Sequence, residues 1–266
     1  VGALLDPESI AELPALTAIT APDKASLKAD TTVSRLIEAQ VAFGVGDYDT
    51  SSVLLYEVVS KGAATAGATG IDVGIYYLGE SLYQQGDLAA ARTYFARVVD
   101  EIGAASRYYQ AALERLVELA ILLDGHDGID ARLAALGQVA AAGGRPSATY
   151  VRGKYAASRG QYDDALTLLG QVPTGSTYDF QAHYVVGTVY VAKADLPRAI
   201  EAFTALSERT PARAADRRVV ELSFMALGRL NYERDLPAKA IDSYLEIDRK
   251  SDLFADALYE VAWVYV

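Results

Sequence analysis

Residues 183–211 read HYVVGTVYVAKADLPRAIEAFTALSERTP. Val186, Gly187 and Tyr190 follow His183 at helical spacing, so the four share one helical face. Ala199 and Phe203 repeat the interval of four in a second segment. Between them stands Ala194-Asp195-Leu196, a short turn whose aspartate can cap the second helix. Pro211 then stops it. The stretch is a helix, a tight turn and a helix.

The same arrangement recurs along the chain. Small residues stand at Ala39, Gly79, Gly153, Gly187, Gly228 and Ala262, each with a large residue three or four positions earlier. Turns follow the first five, at Gly46-Asp47-Tyr48, Gly86-Asp87-Leu88, Gly160-Gln161-Tyr162, Ala194-Asp195-Leu196 and Asp235-Leu236-Pro237. Glycine there supplies the positive φ with which a helix exits. A second small residue, Ala91, Ala165, Ala199 or Ala240, marks the partner helix and lets the two approach closely. Self-similarity of this kind predicts stacked helix pairs. The units run 31–62, 71–103, 105–142, 146–173, 179–211 and 213–250, with a partial one at 254–266. The first is weak, with Glu38 and Ser51 at apolar or small positions. The third is degenerate, its helices expected at 106–123 and 129–141. The sixth is expected to start early, near Ala212. Residues 1–30 read as a leader and linker with one short helix from Asp6 to Leu13. The last helix is expected to turn Leu258, Val261, Ala262 and Tyr265 inward. With no partner helix and an apolar end, it is expected to continue into further chain or to meet a partner.

These positions resemble the tetratricopeptide-repeat signature over roughly residues 31–266, with His183 in place of a bulkier first residue. The resemblance implies an all-α, right-handed superhelical solenoid of antiparallel helix pairs. About six repeats and a final unpaired helix are expected. It also implies an interaction scaffold with a concave groove, and not an enzyme.

Composition narrows the function classes. The chain has 266 residues, 52 % of them apolar, and a formal net charge of −11. An acidic surface repels phosphate backbones, so a nucleic-acid partner is not expected. Cysteine is absent, which removes disulfides, thiolate metal sites and a cysteine nucleophile. The longest apolar run, Val261 to Val266, is far too short to span a bilayer. No phosphate-binding loop, nucleophile elbow or zinc-protease motif occurs. Of two histidines, His183 occupies a packing position. His126 lies among Asp124, Asp127 and Asp130 in what reads as a connecting turn, not a calcium loop. No catalytic, cofactor or metal site is expected.

The stripe one position beyond the packing residues is expected to face the groove. It comprises Tyr76, Glu80 and Tyr83, then Tyr150 and Lys154, Tyr184 and Thr188, Met225, Arg229 and Tyr232, and finally Tyr259 and Trp263. Four units place a tyrosine at the same point: Tyr76, Tyr150, Tyr184 and Tyr259. Two readings stay open. The rings form an aromatic track for a peptide, or they pack between neighbouring first helices. Lys154 and Arg229 stand as isolated cations in this stripe. Members of the resembled family that clamp a carboxy-terminal peptide use a Lys–Asn pair here, and this chain has none.

The reading that follows is a protein or peptide partner held by a non-enzymatic scaffold, as a subunit of a multiprotein assembly. The style of Phe254 to Ala262 resembles tetratricopeptide proteins of the bacterial envelope. It suggests the periplasm or the outer membrane, with the cytoplasm as alternative. Two other readings stand beside it: the superhelical arm of a larger enzyme whose catalytic domain lies elsewhere, and self-association through the final helix.

Overall fold

The computed structural model describes residues 31–62 and 71–265. Every regular element among them is helical. The expected leader at 1–30 lies outside the described residues.

Two compact units divide the chain between Gly144 and Arg145. The first holds α1 (Thr31–Gly44), α2 (Tyr48–Gly62), α3 (Ile71–Gln84), α4 (Leu88–Arg97), α5 (Tyr109–Leu122) and α6 (Ile129–Ala141). A π-helical turn, Val98–Ile102, and a 3-10 turn, Gly103–Ala105, extend α4. The second unit holds α7 (Ser147–Ser158), α8 (Tyr162–Leu169), α9 (Asp179–Ala192), α10 (Leu196–Ser207), α11 (Ala214–Glu233), α12 (Pro237–Leu245) and α13 (Phe254–Val264). Odd-numbered helices are the first of each pair, even-numbered ones the second. The weak pair is α1 and α2 and the degenerate pair α5 and α6, with α5 starting at Tyr109 and not at 106, and α11 begins at Ala214.

One contact builds each pair. The small residue of the first helix lies against a large residue sixteen positions later on the second. An added Cβ would sit 2.8 Å from Phe95 at Gly79, 2.8 Å from Leu169 at Gly153 and 2.6 Å from Phe203 at Gly187. At Gly228 it would overlap the Tyr244 ring. The same interval joins Ala39 to Leu55 and Ala120 to Leu136, all four buried. The missing side chain lets a large one seat deeply, which buries apolar area without a void.

The turns follow the same ruler. Seven positions after the small residue the backbone is left-handed, at Gly46 (φ 82°), Gly86 (83°), Gly160 (72°), Ala194 (57°) and Asp235 (58°). Next comes the cap. Asp47, Asp87 and Asp195 accept the backbone N–H of Thr50, Ala90 and Arg198 at 3.1, 3.1 and 3.2 Å. This satisfies a donor that the helix start would otherwise leave open.

The structure explains the weakness of the first pair. Ser51 replaces the usual alanine yet is fully buried, with its Oγ 3.0 Å from Ser81 Oγ. Ser81 Oγ also donates to the Tyr77 carbonyl at 2.8 Å. Glu38 is exposed and accepts from Arg35 at 3.0 Å.

The last helix departs from expectation. Its packed residues are Phe254, Ala257, Val261 and Val264, against Met225, Tyr244 and Ile247. Leu258 and Tyr265, expected inward, are exposed. In earlier pairs the Leu258–Ala262–Tyr265 face is the one the partner helix covers, and no helix covers it among the described residues.

Candidate functional site

The aromatic stripe divides into a packed part and an exposed part. Tyr76, Tyr150 and Tyr184 are 2, 5 and 3 % exposed. Tyr76 stacks on Tyr108 with ring centroids 4.5 Å apart and planes at 12°. Tyr150 stacks on Tyr178 at 5.0 Å and 24°. Tyr108 and Tyr178 each stand immediately before the next first helix, α5 or α9, with nearly the same backbone angles. A tyrosine three positions before the small glycine is thus gripped by a tyrosine that opens the following pair. Tyr184 is tilted against Phe203, 5.4 Å away. Of the two readings left open by the sequence, packing between repeats describes Tyr76 and Tyr150, while Tyr184 is buried in the core that α9 and α10 share with α11.

Burial sets their ionisation. It pushes the Tyr184 hydroxyl up to about 12, although the Arg229 charge pulls the other way. Burial, joined by the charge of Glu80, holds Tyr76 well above the ordinary tyrosine value. Both stay neutral at physiological pH, as donors on an uncharged ring.

The polar members of the stripe are also committed. Glu80 is 1 % exposed and takes a two-pronged contact from Arg115, with Nε and Nη2 at 2.8 and 3.0 Å. The third arm of Arg115 reaches Glu118 at 2.8 Å, and its guanidinium lies 4.6 Å from the Tyr83 ring centre. A fork–fork pair of this kind satisfies both charges where water is excluded. Thr188 is buried and donates to the Val185 carbonyl at 2.8 Å. Met225 belongs to the core around Tyr244.

Arg229 is not the isolated cation that the sequence suggests. Its Nε and Nη2 donate to Glu260 Oε1 at 2.9 and 2.6 Å. The carboxylate sits on α13, thirty-one residues away, so proximity along the chain gives no sign of the pair. Lys154 is half-buried on α7.

Tyr232, Tyr259 and Trp263 are 51, 64 and 54 % exposed. Tyr259 and Trp263 meet edge to face at 6.1 Å. The packing that encloses Tyr76, Tyr150 and Tyr184 has no counterpart at Tyr259 among the described residues.

Sequence reasoning missed Arg115, which is 5 % exposed on an apolar helix face. Its signal was faint: an unmatched glutamate and an arginine on successive first helices. It also missed the Asp179 cluster. Asp179 is fully buried and accepts from Gly175 N–H at 2.7 Å and from both ends of the Arg209 fork. His183 Nδ1 lies 3.0 Å from the same carboxylate. Burial alone would raise the Asp179 carboxyl. The hydrogen bonds from Arg209 and Gly175 outweigh it and hold the group below the usual carboxylate value.

Comparison with known proteins agrees with this geometry. Residues 76–97 and 146–171 match the family described as Tetratricopeptide repeat. No curated protein matches the chain. One similar solved structure is the Assembly Chaperone of RpL4, 18 % identical, with a TM-score of 0.54, covering 89 % of this chain and 96 % of that one. Another is a tetratricopeptide repeat protein from Parabacteroides merdae, 13 % identical, with a TM-score of 0.44, covering 88 % of this chain and all of that one.

Proposed function

The chain belongs to the tetratricopeptide-repeat family, and from that premise we propose that it is a non-catalytic scaffold holding a protein partner within a larger assembly. The observation that carries this reading is the exposed aromatic face of α11 and α13. Tyr232, Tyr259 and Trp263 stand half or more in solvent, and tyrosine and tryptophan are the residues that dominate protein–protein hot spots. The partner lies against this face, not against the buried tyrosines. A structure of the same fold is, by its name, the assembly chaperone of another protein, which supports a partner-holding role. The resemblance of Phe254 to Ala262 to envelope tetratricopeptide proteins supports the bacterial envelope as the site of the assembly, with the cytoplasm as the alternative, and cell fractionation of the native host distinguishes the two.

The test is affinity capture from native extracts with the wild type and a Tyr232→Ala/Tyr259→Ala/Trp263→Ala variant. The expected result is loss of the captured partner with helix content unchanged by circular dichroism. A variant that captures the same partner with the same yield overturns the role of this face.

A further inference from the structure

A second surface, wholly within the first unit, differs from the corresponding surfaces of α4–α5–α6, α8–α9–α10 and α10–α11–α12. Where α2, α3 and α4 meet, a groove of about 310 Å³ opens to solvent. Leu78 and Leu82 of α3 form its floor. Val53 and Tyr56 of α2 form one wall, and Ala90 and Tyr94 of α4 the other. Val53 and Tyr56 are 69 and 61 % exposed, so two adjacent turns of α2 show apolar surface to water.

The repeat ruler shows what the other pairs do at these places. Counted from the large packing residue, Val53 and Tyr56 correspond to Thr93 and Ala96 on α4, to Thr167 and Gly170 on α8, and to Glu201 and Thr204 on α10. Tyr94 corresponds to Ala135, Ala202 and Ser243. In the pair built by α9 and α10 the floor residue is Tyr190, and Arg198 lies over it with its guanidinium 5.3 Å from the ring centre. None of these counterparts has two aromatic walls. The repeat fold therefore does not require the apolar walls of the first groove.

Charge identifies what fits there. Residues 31–144 hold seven Lys and Arg against fourteen Asp and Glu, a net of −7. Residues 145–266 hold fifteen against sixteen, a net of −1. A cation beside the groove, Arg97, lies 5.7 Å from the Tyr94 ring centre and is paired with Glu101 at 3.2 Å, while two exposed carboxylates border one end. Asp49 shares the Gln85 amide with Ser52, which lines the groove, at 2.8 and 3.0 Å. Asp87 accepts from the N–H of Ala90, also a lining residue.

We infer that the α2–α3–α4 groove docks an aliphatic side chain of a basic partner segment, with flanking Lys or Arg set against Asp49 and Asp87. The apolar walls give affinity by excluding water. The acidic surroundings select against acidic segments and steer basic ones. This inference rests on the scaffold reading and adds a place and a partner chemistry to it.

The test is selection from a random-peptide display library on the purified full chain. Enriched peptides are then synthesised and titrated by fluorescence anisotropy. Peptides with an aliphatic residue beside Lys or Arg are expected. Val53→Asn and Tyr94→Ser should each weaken them about tenfold or more, and added salt should weaken them further. Val53 is exposed, so Val53→Asn leaves the fold intact, which circular dichroism verifies. The Tyr232/Tyr259/Trp263 variant should bind them as the wild type does. Selection of acidic peptides, binding insensitive to Val53→Asn, or no enrichment overturns the groove assignment. Failure here with native capture still lost in the Tyr232/Tyr259/Trp263 variant removes this inference and leaves the scaffold reading standing.

Discussion

At the scale of the residue, glycine and alanine exchange roles according to position. Gly228 lies under the Tyr244 ring, which is 2 % exposed and held on all sides. Gly228→Ala gains helix propensity of about 1 kcal/mol but forces the ring to move, and overpacking of this kind costs about 1–3 kcal/mol or more. The net expectation is destabilisation, read as a lower urea midpoint. Ala194 is the reverse. Its φ of 57° is strained for any residue with a Cβ, so Ala194→Gly should raise stability by about 1 kcal/mol once the entropy of the unfolded chain is counted. Both positions were legible in the sequence because the determinants are local. A small residue, its partner sixteen positions on and a turn seven positions on all lie within one helix pair.

At the scale of the helix, what joins one repeat to the next was mostly hidden. Tyr76 and Tyr259 read alike in sequence, yet the first is enclosed by Tyr108 and the second is open. The difference lies in the neighbouring helix. Arg115 was hidden for the same reason, since a charge on an apolar face shows its partner only when two helices are brought together. The pair it forms with Glu80 should behave as a buried ion pair does. Glu80→Met removes the two-pronged partner of the buried Arg115 guanidinium and leaves it Glu118, which should cost about 3 kcal/mol. Replacing both by methionine should recover part of that loss. Chemical denaturation of Glu80→Met, Arg115→Met and the double variant gives the coupling directly. If Glu80→Met is tolerated without loss, the pair is a bystander.

At the scale of the whole molecule, acid should act in part through Asp179, which is fully buried. Asp179 has a depressed carboxyl in the folded state. Its contribution is therefore present above the unfolded aspartate value, near pH 4, and is lost as pH falls below it. Asp179→Asn should lower stability at neutral pH and flatten its decline between about pH 4 and pH 2. Urea titrations of both chains across that range check this, and equal slopes would remove Asp179 as a determinant of acid unfolding. The exposed ring on α13 has a spectroscopic consequence. Trp263 is the only tryptophan in the chain, so selectively excited indole emission comes from that one face. Half-exposed, it should emit toward the red and accept a water-borne quencher. A partner seated on α13 should shift the emission to the blue and shield it. A peptide in the α2–α3–α4 groove should leave the colour unchanged, so one cuvette can tell which surface is occupied.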